Sequence, residues 1–447
     1  MKLVKMSLLA ATLIAATAMA AEDTVATTEK GAEYAGISNI KVSGDAKLFY
    51  STADNRYTDS QKNLQDGTLF SKYTSTGQVA AKVGVTADLT EGVTSGASIV
   101  ALSTLGLQGQ LVNNVWEATN GVDDSFWFDE AWIAGTSGKT TGKIGRMELD
   151  TPLVFSEKWS TVANTFEAAV VINQDIPDTT LVGAYVGGSN GADAINTTTN
   201  PGATAGVIAD FNANGTTNFH QFYDGAFAIG AENNSWEPLT VQGWYYDAQH
   251  YLNSYWLQAD LELDFGLSLG GQFTGNNYKK SIQLPIAKES SNTAFAAKIG
   301  YEMENLFAIS GAFSQIGKDK DNNLGAGSNL SGSGQSKLYT EAWWNYGYIT
   351  RSDTTAINVT ATTPKELTWA QLGVYFTQAK TKDAFVGAKG VEDALFTEVT
   401  VEAAKSFGAL DVGIYYIMTK ADDMNQEKAT KKGDAFNTVQ AYLTYNF

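Results

Sequence analysis

The sequence predicts an all-β chain, a transmembrane antiparallel β-barrel of about 18 strands, an even number as single-chain barrels of this kind require. Three observations carry that expectation. Apolar and polar residues alternate over many segments, tight turns interleave with long polar loops, and the chain stops on Phe447 at the end of a regular alternation. Side chains along a strand point to opposite faces, so alternation means one greasy face and one polar face.

The chain opens with "MKLVKMSLLAATLIAATAMA". Lys2 and Lys5 precede an apolar run that ends at Ala18, Met19 and Ala20, the pattern of a cleaved signal peptide over residues 1–20. The run is short for a membrane helix, which needs ~20 residues, and no later stretch approaches that length. Residues 21–38 are polar and aperiodic and read as a flexible leader. The barrel is expected over residues 39–447.

From Asn39 onward one unit recurs: strand, short turn, strand, longer loop. Strands are expected near 40–53, 76–89, 94–104, 124–137, 142–149, 166–175, 180–187, 222–233, 239–249, 254–265, 267–277, 293–303, 306–317, 338–349, 367–379, 395–407, 410–420 and 435–447. Residues 350–366 are left as a long linker. Tight turns fall at 89–93, 265–267, 303–305 and 407–410; long loops fall at 188–221, 317–337 and 421–434. Short turns on one side and long loops on the other are the asymmetry of outer-membrane barrels.

The clearest strand is "YWLQADLELDF". Tyr255, Leu257, Ala259, Leu261, Leu263 and Phe265 share one face; Trp256, Gln258, Asp260, Glu262 and Asp264 share the other. In a soluble sandwich the polar face would meet bulk water, and in a barrel it would line the lumen. Alternation does not separate these two. Strand length and the aromatic ends, Tyr255 and Phe265, match a tilted membrane strand of ~9–11 residues with an aromatic belt at each interface. On that reading Asp260, Glu262, Asp264, Lys298, Glu302, Glu398 and Glu402 face the lumen. The last strand puts Val439, Ala441, Leu443, Tyr445 and Phe447 on its apolar face, and closure requires it to pair with the first.

Composition excludes several functions. Removing residues 1–20 takes only Lys2 and Lys5 from the charge count, leaving 28 basic against 48 acidic residues, a net of −20. That opposes nucleic-acid binding, which needs a basic face. There is no cysteine, so thiol catalysis and thiolate metal sites are absent. The two histidines, His220 and His250, fall in or beside loops, which leaves a nucleophilic triad unsupported. Asp319, Asp321 and Asn323 have the spacing of a calcium loop, but Leu324 and Leu330 occupy its glycine and bidentate-glutamate positions. Paired carboxylates such as Glu398 and Glu402 share a strand face without an apolar pocket to raise one of them, against glycosidase chemistry. No enzyme activity, cofactor or metal is expected.

One region resembles a known family. "FDEAWIAGTSGKTTGKIGRMELDTPLV", followed by "NTFEAAVV", is similar to the OprD-like outer-membrane porins, and most closely to the major porins of epsilonproteobacteria. Asp129, Glu130, Ala131 and Trp132 carry the likeness, with Gly142 to Arg146, then Asp150 to Leu153, then Thr165 to Glu167. "LYTEAWWNYGYI" at 338–349 is a weaker second match. The resemblance implies that residues 150–165 fold inward as a constriction loop, lined by Arg146, Glu148, Asp150, Glu157, Lys158 and Glu167. It also implies an outer-membrane location, a lipid surround, a homotrimer and insertion by the barrel-assembly machinery, for which Tyr445 and Phe447 resemble the terminal signal. Specific channels of that family line one wall with an arginine ladder; here only Arg146 is near the loop, which argues against carboxylate specificity. The leading expectation is a passive, cation-preferring porin for small hydrophilic solutes and ions. The alternative is an exported β-rich adhesin or surface-layer protein without a pore.

Overall fold

The computed structural model describes residues 37–447, apart from 60, 106, 108, 113–124, 160, 191–219, 250, 281–287, 331–333, 365–368, 386–390 and 429–430. The expected signal peptide, nearly all of the leader, most of the 188–221 loop and His250 lie outside the described residues.

The wall begins with β1 (Ser38–Ala53). A small hairpin of β2 (Tyr57–Thr58) and β3 (Leu64–Gln65) follows. The wall continues through β4 (Ser75–Thr90), β5 (Val93–Ser103), β6 (Ser125–Ser137), β7 (Thr140–Met147), β8 (Phe166–Asn173), β9 (Thr179–Ser189) and β10 (His220–Trp236). It goes on through β11 (Leu239–Ala248), β12 (Leu252–Glu262), β13 (Leu267–Tyr278), β14 (Ser290–Met303) and β15 (Phe307–Ile316). The last five are β16 (Thr354–Thr362), β17 (Gln371–Phe385), β18 (Val391–Phe407), β19 (Leu410–Ala421) and β20 (Phe436–Asn446). Apart from the small hairpin, every strand pairs antiparallel with its neighbours, and β1 pairs with both β4 and β20. The result is a closed barrel of 18 strands. Closure matters because an open edge would present unpaired backbone groups.

The alternation read from sequence sets the two faces of this wall. On β12, Trp256 is fully buried while its neighbour Leu257 is 52% exposed. The outer rows carry Phe295, Ile299 and Tyr301 on β14 and Ile309 and Phe313 on β15, all exposed. The inner rows carry buried polar groups such as Gln272, Ser314, Thr377 and Gln440. Apolar outside and polar inside is the inversion that a water-filled lumen within lipid demands. The turns are tight where expected. Gly92 has φ +72°, and a Cβ there would fall 2.7 Å from the Thr136 carbonyl oxygen, so the β4–β5 turn requires glycine.

The end of the chain closes the ring. Val439 pairs with Thr52 and Tyr445 with Ala46. Beyond the strand, the Phe447 and Gly44 backbones exchange two hydrogen bonds of 2.8 and 2.9 Å. A Cβ on Gly44 would stand 2.6 Å from the Phe447 ring, so that glycine makes room for the ring to lie across β1.

Two expectations need correction. Residues 338–349 form no strand; they belong to the 317–353 loop and end in a short 3₁₀ turn at Tyr346–Tyr348. Leu338, Thr340 and Ala342 are buried with strand-like parity, yet the stretch has no partner strand, and Tyr348 and Ile349 are buried side by side at its end. The backbone N–H groups of Trp344 and Asn345 bond the Glu398 carboxylate instead of a ladder partner. The strand lies further on, at β16, inside the stretch taken as a linker; Thr, Ile and Val there fit a pleated wall. The second correction is Asp264, which sits in the β12–β13 turn beyond Glu262, the last residue of β12.

Candidate functional site

The inner wall and two long loops build the site. Residues 148–165 connect β7 to β8, and residues 317–353 connect β15 to β16. Both loops bond to the inner face of strands far from their own. In the first, Gln78 of β4 donates to Thr161 at 2.8 Å and Tyr442 of β20 donates to the Trp159 carbonyl at 2.9 Å. Tyr246 of β11 accepts from the Leu153 N–H at 3.4 Å. In the second, Tyr339 donates to Asp260 of β12 at 2.5 Å, and Gln272 of β13 donates to the Lys337 carbonyl at 2.8 Å. Asn345 donates to Glu398 of β18 at 2.7 Å. Trp343 packs against Tyr375 and Tyr415, with ring centroids 4.7 and 4.9 Å away, and both tyrosine hydroxyls point to Glu402.

The two loops also hold each other. The Leu330 N–H donates to the Leu153 carbonyl at 2.8 Å. Asn329 donates to the Phe155 carbonyl at 2.9 Å and to Glu157 at 3.1 Å. Glu157 has no exposure and also accepts from the Gln335 N–H. Lys337 is ion-paired to Asp150. Trp159 meets Trp344 edge-on, centroids 5.7 Å apart. At this seam Glu341 is held well above the usual carboxylate range: desolvation raises it and the nearby Glu157 charge adds to that, against two hydrogen bonds from Ser336.

A charge knot lies on the neighbouring wall. Lys82 of β4 contacts Asp129 at 2.7 Å and Glu130 at 3.2 Å on β6, and Glu148 at 3.4 Å. Lys158 completes it, 2.7 Å from Glu148. Burial works against the charged form of Glu148, but Lys82 and Lys158 outweigh it and hold its carboxyl at about 2. Lys143 lies over the Trp132 ring, 4.1 Å from its centroid.

The structure thus brings Glu148, Asp150, Glu157 and Lys158 into one inward cluster, but not Arg146 and Glu167. Glu167 stands between Phe166 and Ala168, both buried on the inner face, so alternation turns it outward with Val171. Register pairs it with Arg146, beside the exposed Ile144, and the two ion-pair at 2.9 Å. Among the wall positions, Asp260, Glu398 and Glu402 bond into the lumen, and Lys298 lies over the Tyr339 ring at 4.6 Å. Glu262 and Glu302 are exposed near the turns. Tyr445 and Phe447 are half-exposed on the outer face.

Sequence reading did not place Lys82, Lys337, Tyr339 or Glu341 in the site, and it read Asp129 only as part of the family likeness. Lys82 had a signal, a charge on the polar face of an alternating strand; Lys337 had none, because its partner is 187 residues away. The calcium spacing at 319–323 does other work. Asp319 accepts backbone N–H groups from Asp321, Asn322 and Leu324. Among the described residues no three His, Asp or Glu side chains converge as metal ligands.

Solved structures share this geometry. The barrel superposes on OccK9 (OpdG) of Pseudomonas aeruginosa with a TM-score of 0.70 at 12% identity, covering 92% of this chain and 98% of that one. It has the fold of the OprD-like porins. The porins OpdK of P. aeruginosa, crystallised with vanillate, and a BenF-like porin of Pseudomonas fluorescens Pf-5 match at TM-scores of 0.66 and 0.67. Their identities are 13% and 12%; they cover 91% and 92% of this chain and 98% of their own. No family model and no curated protein matches the sequence.

Proposed function

We propose that this chain is an outer-membrane porin, a passive channel for small hydrophilic solutes and ions. The carrying observation is a closed barrel with an apolar exterior whose polar interior is crossed by two loops bonded to opposite walls. Such loops narrow an aqueous lumen and place charge where a solute must lose part of its water. The OprD-like fold supports this reading, and the motif from Asp129 to Glu167 extends it to the epsilonproteobacterial branch. Lipid surrounds the barrel, copies assemble as a homotrimer, and the barrel-insertion machinery reads the terminal strand.

The channel prefers cations. Glu148, Asp150 and Glu157 of the first loop, with Asp260, Glu398 and Glu402 of the wall, outnumber the lysines Lys82, Lys158, Lys298 and Lys337. In a narrow lumen an acidic excess enriches cations.

Reversal potential across a planar bilayer in a salt gradient tests this. The triple variant Glu148→Gln, Asp150→Asn, Glu157→Gln is expected to lose cation preference. Asp321→Asn, on the exposed part of the 317–353 loop, is expected to leave it unchanged, because salt screens exposed charge over ~10 Å at 0.1 M. A folded wild-type barrel that shows no conductance steps would sink the porin reading, and an unmoved triple variant would sink the assignment of the loop.

A further inference from the structure

The wall is uneven around its circumference. β7 and β8 have eight residues each, the fewest of any wall strand among the described residues. At ~3.4 Å per residue and a tilt near 40°, eight residues climb about 21 Å, short of an apolar band about 25 Å tall. Past Met147 and before Phe166 the chain leaves the wall for the lumen, so no strand backbone continues upward there. Irregular backbone at lipid depth is tolerated only where protein covers it.

The Arg146–Glu167 ion pair lies on the outer face of this low section. Arg146 also donates to the Phe128 carbonyl at 2.8 Å, where a bulge interrupts the β5–β6 ladder. Arg146 is six residues beyond the start of β7, roughly 16 Å up the same tilted climb. The exposed Ile133 and Ile144 lie below it and the exposed Phe126 and Phe128 above. The pair is therefore inside the apolar band, below the level of lipid headgroups. In register the pair sits beside Ala131, with the open row of Gly135, Gly142, Val171 and Gly183 about four residues below it.

We propose that the outer face of β6–β9 is the docking surface for a second copy of this chain, with the Arg146–Glu167 pair enclosed in the contact. The face carries both signs, so an identical copy offers each charge its complement, whereas acyl chains offer neither. Only another membrane-embedded protein reaches this depth. The inference rests on the membrane-barrel reading and names the face that assembly uses.

The absence of cysteine makes the test direct. Single substitutions Ile144→Cys and Val171→Cys go on the proposed face, and Ile299→Cys and Val359→Cys on the opposite wall. Each is oxidised in intact outer membranes and run on a gel, with heat-modifiable mobility as the check that the barrel formed. Disulfide dimers are expected from the first two variants and only monomers from the last two. Dimers from the opposite wall overturn the assignment. Monomers throughout, with a fluorophore at Ile144→Cys quenched by brominated acyl chains, show that lipid covers this face and also overturn it. Absence of any heat-modifiable membrane species would instead defeat the membrane-barrel reading itself. As a second measure, Arg146→Glu is expected to dissociate the detergent-solubilised oligomer, and adding Glu167→Arg to restore it. Unchanged mass in the single variant counts against the proposal.

Discussion

At the scale of single residues, the lumen is a problem in pairing buried charge. Asp129 is almost fully buried and Lys82 is its closest ion-pair partner. An ion pair in such a place adds little net stability, but removing one partner strands the other, at about 3–5 kcal/mol. Lys82→Met is therefore expected to lower the temperature at which the folded gel band converts to the unfolded one. Asp129→Asn in the same chain should recover part of the loss, because it removes the stranded charge. A double variant no more stable than Lys82→Met would mean that Lys82 acts through packing instead. The same logic explains Arg146. Sequence spacing put it beside the constriction loop, but alternation within β7 sends its side chain to the other side of the wall.

At the scale of elements, the 317–353 loop is fixed by a few anchors. Glu398 accepts from two successive backbone N–H groups and an amide, a strong arrangement for a carboxylate. Glu398→Ala is expected to free the 338–345 stretch and raise both mean conductance and open-channel noise in single-channel recordings, with the barrel still heat-modifiable. A conductance trace indistinguishable from wild type would show that Trp343, held between Tyr375 and Tyr415, suffices as the anchor. This loop is also where the sequence misled. "LYTEAWWNYGYI" alternates well enough to resemble a strand, and burial follows that parity at Leu338, Thr340 and Ala342. Yet the stretch lies inside the lumen, where the Trp344 and Asn345 N–H groups bond Glu398 instead of a neighbouring strand. A wall strand contacts lipid on one face only, and no local pattern in the sequence records that difference.

At the scale of the whole molecule, the first and last strands carry the closure. The Phe447 backbone bonds to Gly44 and its ring lies over that glycine. Phe447→Ala is expected to lower the amount of heat-modifiable barrel in outer membranes while leaving export to the periplasm intact. Gly44→Val should act in the same direction, since its side chain would occupy the space of the Phe447 ring. Normal barrel levels in both variants would mean that closure tolerates the loss of this contact.

The sequence by itself determined the class of fold and most of the wall. Period-two alternation, tight turns and an aromatic terminus are local signals, and a strand's inner and outer faces follow from parity alone. The pairing of last with first follows from the same signals once closure is required; the count of eighteen agrees because the misplaced strand at 338–349 stood in for β16. Only the tertiary structure decided what occupies the lumen. The loop seam joins Asp150 to Lys337 and Glu157 to Asn329 across more than 170 residues of chain. Loop residues have no period to read, and their partners are set by where two long connections meet inside a closed wall. The outward turn of Arg146 and Glu167 was in principle legible from parity, but it needed the register of β7 on β8 to become a fact.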